Sequence, residues 1–252
     1  MLRTLRYLAS VSAKSVMYAK HAQLLGERVD EYFNVPWEEV LAIVPRDVRR
    51  ALEVGCGAGA TLAALKERQP CEVVGVEIEP AAAQRARMVL DAVYEFDAEE
   101  ETLPRDEFFD LLILNHVMEH FVNPWQTLRR WVAYVRPGGY VIVGVPNIAH
   151  YKVLGRLIFR DEFQYEPRGI LDWTHLRYFT AVSIERLMGE TGLTILKRER
   201  LMLVGEGWKG RVFFGALPFL RRFFSFSTLV LARKDGDSGP DYVPFGDTYT
   251  VS

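Results

Sequence analysis

The stretch Leu52-Glu53-Val54-Gly55-Cys56-Gly57-Ala58-Gly59 decides how the rest of this 252-residue chain is read. The apolar run Arg50 to Val54 reads as a short buried strand that closes on a carboxylate, and Thr61 to Glu67 reads as a helix. Three glycines at every second position join the two. Glycine at a strand-to-helix turn lets the backbone approach a ligand where a Cβ would collide. The helix N-terminus behind it offers unpaired N–H groups to an anionic group or carboxylate. The pattern points to a nucleotide-like cofactor; a plain tight connection is the other reading of the same glycines.

Two cofactors compete for the loop. Gly55, Gly57 and Ala60 satisfy the dinucleotide fingerprint G-x-G-x-x-G/A, with Glu77 at the end of the next strand as ribose acceptor. The rival is S-adenosylmethionine, whose sulfonium and ammonium are cationic and suit a carboxylate at the mouth of the first strand, where a pyrophosphate would be repelled. Glu53 stands there. The stretch Leu52–Gly59, followed by Val73-Val74-Gly75-Val76-Glu77, resembles motifs I and II of class I S-adenosylmethionine-dependent methyltransferases. That resemblance implies that Glu53, Gly55, Cys56, Gly57 and Gly59 hold the methionine half of the cofactor. Glu77, with Ile78 beside it, would take the ribose, and methyl transfer is favoured over hydride transfer by an NAD-type oxidoreductase.

From Arg50 onward the α/β alternation is regular, with strands predicted at 50–54, 72–76, 92–96, 109–115 and 140–145. Helices are predicted near 61–67, 80–90 and 124–135. Pro80 suits a helix's first turn, and Pro137-Gly138-Gly139 stops a helix and turns into the fifth strand. Such alternation implies a parallel sheet with right-handed crossovers, which binds ligands at the carboxyl ends of its strands. Those ends carry Glu53, Glu77, Asp97, Asn115 and Pro146-Asn147. A helix at 182–190 and strands at 193–203 and 225–234 fit the antiparallel pair that ends the class I sheet of seven strands. The expected organisation is an N-terminal helical cap (1–45), an α/β domain (46–234) with an insertion over the active face at about 148–180, and a polar tail (235–252). Tyr32 and Phe33 of the cap are placed over the cofactor.

Further stretches carry candidate chemistry. In the family's pattern Asp97 takes the adenine amino group and its neighbour Ala98 lines the ring; the acidic run Glu99 to Glu101 reads as a solvated turn. Asn115-His116-Val117-Met118-Glu119-His120 matches H-x-x-E-H, with both histidines on one helical face as in a zinc hydrolase. It also resembles the family segment that follows the fourth strand, in which Asn115 and His116 flank the methionine end of the cofactor and Glu119 and His120 pin the next helix. The second reading is preferred, with no resident metal. Asn147 and His150 close the fifth strand at the rim, as substrate contacts or as a simple turn.

Tyr165 to Thr180 contains Gly169-Ile170-Leu171-Asp172-Trp173-Thr174-His175-Leu176-Arg177-Tyr178-Phe179-Thr180. It resembles a "G-I-L-D-x-T-H-L-R-F-F-T" segment of a bacterial branch of these methyltransferases, often associated with cell-surface polysaccharide or glycolipid assembly. An alcohol nucleophile benefits from a base as its proton leaves, and imidazole titrates near neutrality. His175, oriented by Asp172, is the candidate base; the pair as a staple of the insertion is the alternative, with His150 and His116 as reserves. Asn147, Tyr165 and Phe179 are the expected substrate contacts. The acceptor implied is a sugar, lipid-linked glycan or other small-molecule hydroxyl. A protein that binds S-adenosylmethionine without turnover is the remaining alternative.

The formal charge of -2 gives no reason to expect nucleic acid. Two cysteines, Cys56 and Cys71, are too few for a disulfide framework and suit a reducing cytoplasm. The first twenty residues lack acids; an amphipathic helix is preferred there over a targeting peptide. Residues 210–226 mix aromatic side chains with Arg211, Arg221 and Arg222, so weak contact with the inner membrane surface is one reading of them. Helix packing between the last two strands is the other. Nothing in the sequence fixes the oligomeric state.

Overall fold

A computed structural model describes residues 35–104, 108–202 and 218–236. Tyr32, Phe33 and most of the expected cap lie outside the described residues, as do 203–217, the first half of the basic-aromatic stretch, and the tail from 237. In chain order the elements are α1 (Glu38–Ile43), β1 (Arg50–Val54), α2 (Ala60–Arg68), β2 (Glu72–Glu77), α3 (Pro80–Ala86) and β3 (Ala92–Glu95). There follow β4 (Phe109–Asn115), a 3-10 turn (Met118–His120), α4 (Pro124–Val132), β5 (Val135–Pro146), α5 (Tyr151–Arg160) and α6 (Ala181–Gly189). The chain closes with β6 (Leu193–Met202), a 3-10 turn (Pro218–Leu220), α7 (Arg221–Phe224) and β7 (Ser225–Lys234).

The strands form one seven-stranded sheet in the order β3-β2-β1-β4-β5-β7-β6. Pairs among β1 to β5 are parallel, and β7 runs antiparallel to both β5 and β6. This is the doubly wound, mostly parallel α/β sheet the sequence predicts. Strand side chains alternate between faces. On one face Leu52, Leu112, Leu114 and Val143 pack with Trp131 and Leu128 of α4. On the other, Ala51, Leu111, Ile113 and Ile142 pack with Leu62 and Leu65 of α2 and with α1. Because β1 lies between β2 and β4, the winding reverses beside it, and the crevice at the ends of β1 and β4 is where such a sheet takes a ligand.

Three details differ from the sequence reading. The helix expected to run to 135 ends at Val132, because Val135 already pairs with Phe109; Leu111 pairs with Tyr140, and the intervening Pro137-Gly138-Gly139 bulges from β5. The helix expected to reach 90 stops at Ala86. Residues 151–160 form a helix on which Val153, Leu154, Leu157 and Ile158 fall at helical spacing, although only Val153 of them is buried.

Gly75 in mid-β2 is required for packing rather than for conformation. A Cβ there would stand 2.5 Å from Cys56 Sγ and 2.9 Å from Leu90 Cδ1, both enclosed by the core. Gly75→Ala should therefore cost about 1–3 kcal/mol of stability as the core strains to admit one methyl group. Urea denaturation measures it, and an unchanged midpoint would mean that the thiol and Leu90 retreat freely.

Candidate active site

The loop after β1 is built as its glycines require. Gly55, Gly57 and Gly59 all have positive φ, at 75°, 56° and 85°, a region that L-residues with a Cβ seldom enter. Gly59 is the residue before α2, and the Gly55 and Cys56 N–H groups both donate to the Val76 carbonyl. Cys56 turns its thiol towards Gly75, and burial, followed by Glu77 and Glu53, pushes that thiol up, so it is a packing group.

Glu77 crosses from the end of β2 to hold this loop. Its carboxylate accepts N–H bonds from Gly57 (2.8 Å), Ile78 (2.9 Å) and Glu79 (2.9 Å). A carboxylate has about four lone-pair directions, so one remains for a further donor. Burial pushes its pKa up against the pull of those amides.

Glu53 has no such support. It is buried, its Oε2 accepts no hydrogen bond, and burial followed by the nearby Glu77 raises its pKa from the ordinary 4.5 to about 8. A side chain in that condition takes up a proton unless a cation comes close.

Immediately beyond Glu53, Val54 and Gly55 form one side of a cleft. Val76 and Ile78, Phe96 to Ala98, and Val117, His120 and Phe121 complete it. Asp97 is buried at this cleft, its Oδ1 accepting from Glu99 N–H at 2.9 Å. Glu99 is no solvated turn residue. It accepts the Val122 and Asn123 N–H groups at 2.8 Å each and so anchors the start of α4 to the end of β3.

The H-x-x-E-H stretch does not form a helix. His116 adopts a left-handed backbone (φ 53°), and only Met118–His120 turns, as 3-10. The i, i+4 helical face expected of the two histidines is therefore absent. His116 stacks on Trp37 (centroids 5.0 Å apart, planes 24°), with Nε2 3.3 Å from Ser227 Oγ and Nδ1 3.3 Å from Glu119 Oε1. Asn115 folds over Gly144 on β5, where a Cβ would meet its Oδ1 at 1.9 Å.

Glu119 is the centre of a buried cluster in which His175 joins residues of the H-x-x-E-H stretch. His175 Nε2 lies 3.9 Å from Glu119 Oε1, and His120 packs edge-on against His175 at 4.9 Å. Ring nitrogens of His120 and His175 face the Thr174 and Ile170 carbonyls through Nδ1, at 3.2 and 3.0 Å. A carbonyl only accepts, so each Nδ1 carries hydrogen and each neutral ring keeps its lone pair on Nε2. Glu119, His120 and His175 together offer ligand atoms within 4.8 Å of one another. Burial pulls His120 down, so it is neutral there. Burial pushes Glu119 up, yet the His116 imidazole 3.3 Å away outweighs it and holds the carboxylate below its usual range, although neither carboxylate oxygen has a hydrogen-bond partner among the described residues. With His120 neutral, His116 at 3.3 Å is the partner that matters most.

Asp172 is not the carboxylate that faces His175 Nε2. Its Oδ1 accepts from Thr174 N–H and Oγ–H (2.8 and 2.7 Å), bracing its own turn. The Glu119 carbonyl accepts the Leu176 and Arg177 N–H groups, so this residue pins the insertion rather than the following helix. His150 caps α5, its Nδ1 accepting from Lys152 N–H at 3.4 Å. Asn147 is buried, with Nδ2 bonded to the Arg222 and Ser225 carbonyls and Oδ1 to Ala149 N–H. Phe179 is a core residue, and Ile148 N–H donates to its carbonyl. Tyr165 alone of the expected substrate contacts is exposed, set edge-on to Phe163 (5.6 Å).

The family model described as "Methyltransferase domain" matches residues 24–198. Among curated relatives, the ubiquinone biosynthesis O-methyltransferase of Alkalilimnicola ehrlichii is 33% identical over 132 residues, 50% of this chain and 53% of that one. The trans-aconitate 2-methyltransferase of Methylobacterium radiotolerans is 32% identical over 125 residues, 49% of this chain and 48% of that one. The chain thus spans about half the length of these two relatives. A SAM-dependent methyltransferase from Archaeoglobus fulgidus superimposes with a TM-score of 0.60 at 18% identity, over 86% of this chain and 99% of that one. One from Mesorhizobium loti gives 0.55 at 17%, over 83% and 99%. At those identities the likeness is one of fold.

The state of Glu53 has a measurable consequence. Between its ordinary 4.5 and about 8 the folded chain holds a proton that the unfolded chain has released, so stability falls as the pH rises through that window. Glu53→Gln keeps a neutral side chain throughout. Wild type should lose stability relative to that variant by about 5 kcal/mol over the whole window, read from urea midpoints. Parallel stability curves would show that the carboxylate already has a countercharge.

Proposed function

The chain belongs to the class I S-adenosylmethionine-dependent methyltransferases, and from that premise we propose that it transfers the cofactor's methyl group to a hydroxyl of a sugar, glycolipid or other small molecule. The observation that carries the reading is Glu53: a buried carboxylate with an orphaned oxygen, set behind a left-handed glycine loop. That pocket favours a positively charged methionine group and disfavours a diphosphate. The residues present fit the cofactor. Glu53 and the loop Gly55 to Gly59 would take its methionine half, Glu77 one ribose hydroxyl through its remaining lone pair, and Asp97 with Ala98 the adenine. When bound, the cofactor supplies an electrophilic methyl group on a sulfonium.

What the chain must add is alignment and a destination for the acceptor's proton. His175 supports the second role. Its Nδ1–H is committed to the Ile170 carbonyl, so its basic Nε2 faces Glu119 Oε1 at 3.9 Å. Two acceptor atoms so placed repel one another until a proton or cation arrives. A proton leaving the acceptor hydroxyl for Nε2 meets that need, and Glu119 stabilises the resulting imidazolium. Glu119 thus takes the positioning role that the sequence suggested for Asp172. Oxygen as the nucleophile agrees with the O-methyltransferase chemistry named for the ubiquinone-biosynthesis relatives. The sugar or glycolipid acceptor rests on the resemblance of the 169–180 segment, work in the cytoplasm on the two-cysteine composition, and contact with the inner membrane surface on residues 210–226.

A second reading has its own observation: the ligand atoms of Glu119, His120 and His175 also suit a metal ion. Stoichiometric zinc in protein purified without chelator would replace His175 as base by metal chemistry.

Two outcomes test the proposal. At neutral pH Glu53 is protonated in the free protein, so binding S-adenosylmethionine should release close to one proton. Affinity should rise about tenfold per pH unit up to about 8. Calorimetry in buffers of different ionisation enthalpy reads the proton directly; uptake, or no exchange, would refute the electrostatic role. Separately, His175→Ala should lower turnover at least about 100-fold. Cofactor affinity, measured by calorimetry, should stay nearly unchanged. Undiminished turnover on a methyl-accepting glycan or lipid fraction would place the base elsewhere.

A further inference from the structure

Helix α5 leaves the rim directly after β5 and is poorly covered. Of its ten residues only Val153 is buried, while Ile158 is 70% and Phe159 84% exposed. At 100° per residue both stand well away from Val153. Lys152, Arg156 and Arg160 recur every fourth position and form a cationic stripe that runs between the Phe159 and Val153 directions, with Lys152 about 20° from Phe159 around the helix. Arg156 is paired with Glu166, which leaves Lys152 next to Phe159 and Arg160 at the end of the helix as the cations of this face; Asp161 and Glu162 follow at the helix end.

A second element of the same chemistry is fastened alongside. Tyr151 stacks on Phe224 (4.8 Å, 28°), and Asn147 Nδ2 donates to the Arg222 carbonyl, tying α5 to α7. There Arg221 and Arg222 are exposed, and Phe219 just before them is 58% exposed. Protruding aromatic and aliphatic side chains flanked by arginine and lysine, on a chain whose overall charge is -2, make a local exception that water does not explain.

We propose that α5 and the 219–224 turn form a docking face for an anionic phospholipid surface, with Ile158, Phe159 and Phe219 entering the interface and Lys152, Arg160, Arg221 and Arg222 meeting the headgroups. Charge decides the occupant. A second copy seated by a two-fold axis would set these cations against their own images, whereas anionic headgroups neutralise them. Nucleic acid would match the cations and leave Ile158 and Phe159 without a partner. No helix among the described residues is long and apolar enough to cross a membrane, so the contact is with the surface. The proposal is independent of the methyl acceptor.

Sedimentation of the full chain with vesicles tests it without any activity readout. Equimolar phosphatidylcholine and phosphatidylglycerol vesicles should carry the protein down, phosphatidylcholine alone should do so weakly, and added salt should release it. Ile158→Glu/Phe159→Glu, at positions already in water, should reduce binding at least about tenfold while cofactor affinity and circular dichroism stay unchanged. Lys152→Gln/Arg160→Gln should remove much of the salt-sensitive part. Wild-type protein left in the supernatant with anionic vesicles would overturn the proposal, as would equal binding by the Glu variant. So would a concentration-dependent dimer in sedimentation velocity that the Glu variant abolishes.

Discussion

The cofactor end of the rim depends on a buried carboxylate that has no countercharge of its own among the described residues. Glu53 ends the apolar part of β1, between β2 and β4, where water is excluded and its nearest acidic neighbour is Glu77. The two carboxylates solve burial differently. Glu77 accepts three backbone N–H groups and becomes part of the glycine loop. Glu53 keeps an orphaned oxygen, so the folded chain carries an electrostatic debt that a bound cation discharges. Ligand binding and the local stability of the sheet are therefore coupled through a single proton.

The backbone around this site is arranged at comparable cost. Three glycines and His116 hold left-handed conformations within the same crevice, and a non-glycine residue there is strained unless its surroundings impose it. For His116 they do so from three sides, through Trp37, Ser227 and Glu119. Trp37 reaches this position because its N–H donates to Thr61 Oγ on α2, which ties the chain before β1 to the helix after it. Ser227 comes from β7, the last strand. The ends of the described chain thus meet at one imidazole.

Much of this was legible in the sequence because it is local. Strands such as Phe109–Asn115 and Ser225–Lys234 announce themselves by continuous apolar runs, and Gly55, Gly57 and Gly59 mark their turn by spacing alone. What was hidden depends on distance along the chain. The Glu119–His175 approach spans the fifth strand and the insertion, and no periodicity encodes it. Asp172 looked like the partner of His175 because it is three residues away, yet a short loop can spend such a carboxylate on its own backbone, as the Thr174 bonds show. The spacing of His116 and His120 invited a helix, which the positive φ at His116 forbids. Helix α5 was within reach of the sequence, because Val153, Leu154, Leu157 and Ile158 recur at helical spacing; what the spacing does not tell is that only Val153 would be buried.

The two halves of the rim are also built by different means. Glu53, Glu77, Asp97 and Asn115 stand at or just beyond the ends of β1 to β4, so sheet register fixes their relative positions. The span from Asn147 to Thr180 is held outside the sheet, with anchors that include the Asn147 amide on α7, the Ile148 N–H on the Phe179 carbonyl, the Leu176 and Arg177 N–H groups on the Glu119 carbonyl, and the Thr174 carbonyl at His120. Each of these four uses main-chain atoms on at least one side. Side chains between the anchors, Phe163, Tyr165 and Trp173 among them, can therefore change without moving a strand. A different cofactor would require new residues at strand ends packed into the core. On the proposed function, a different acceptor would require only new residues along a strap whose main-chain anchors do not depend on them.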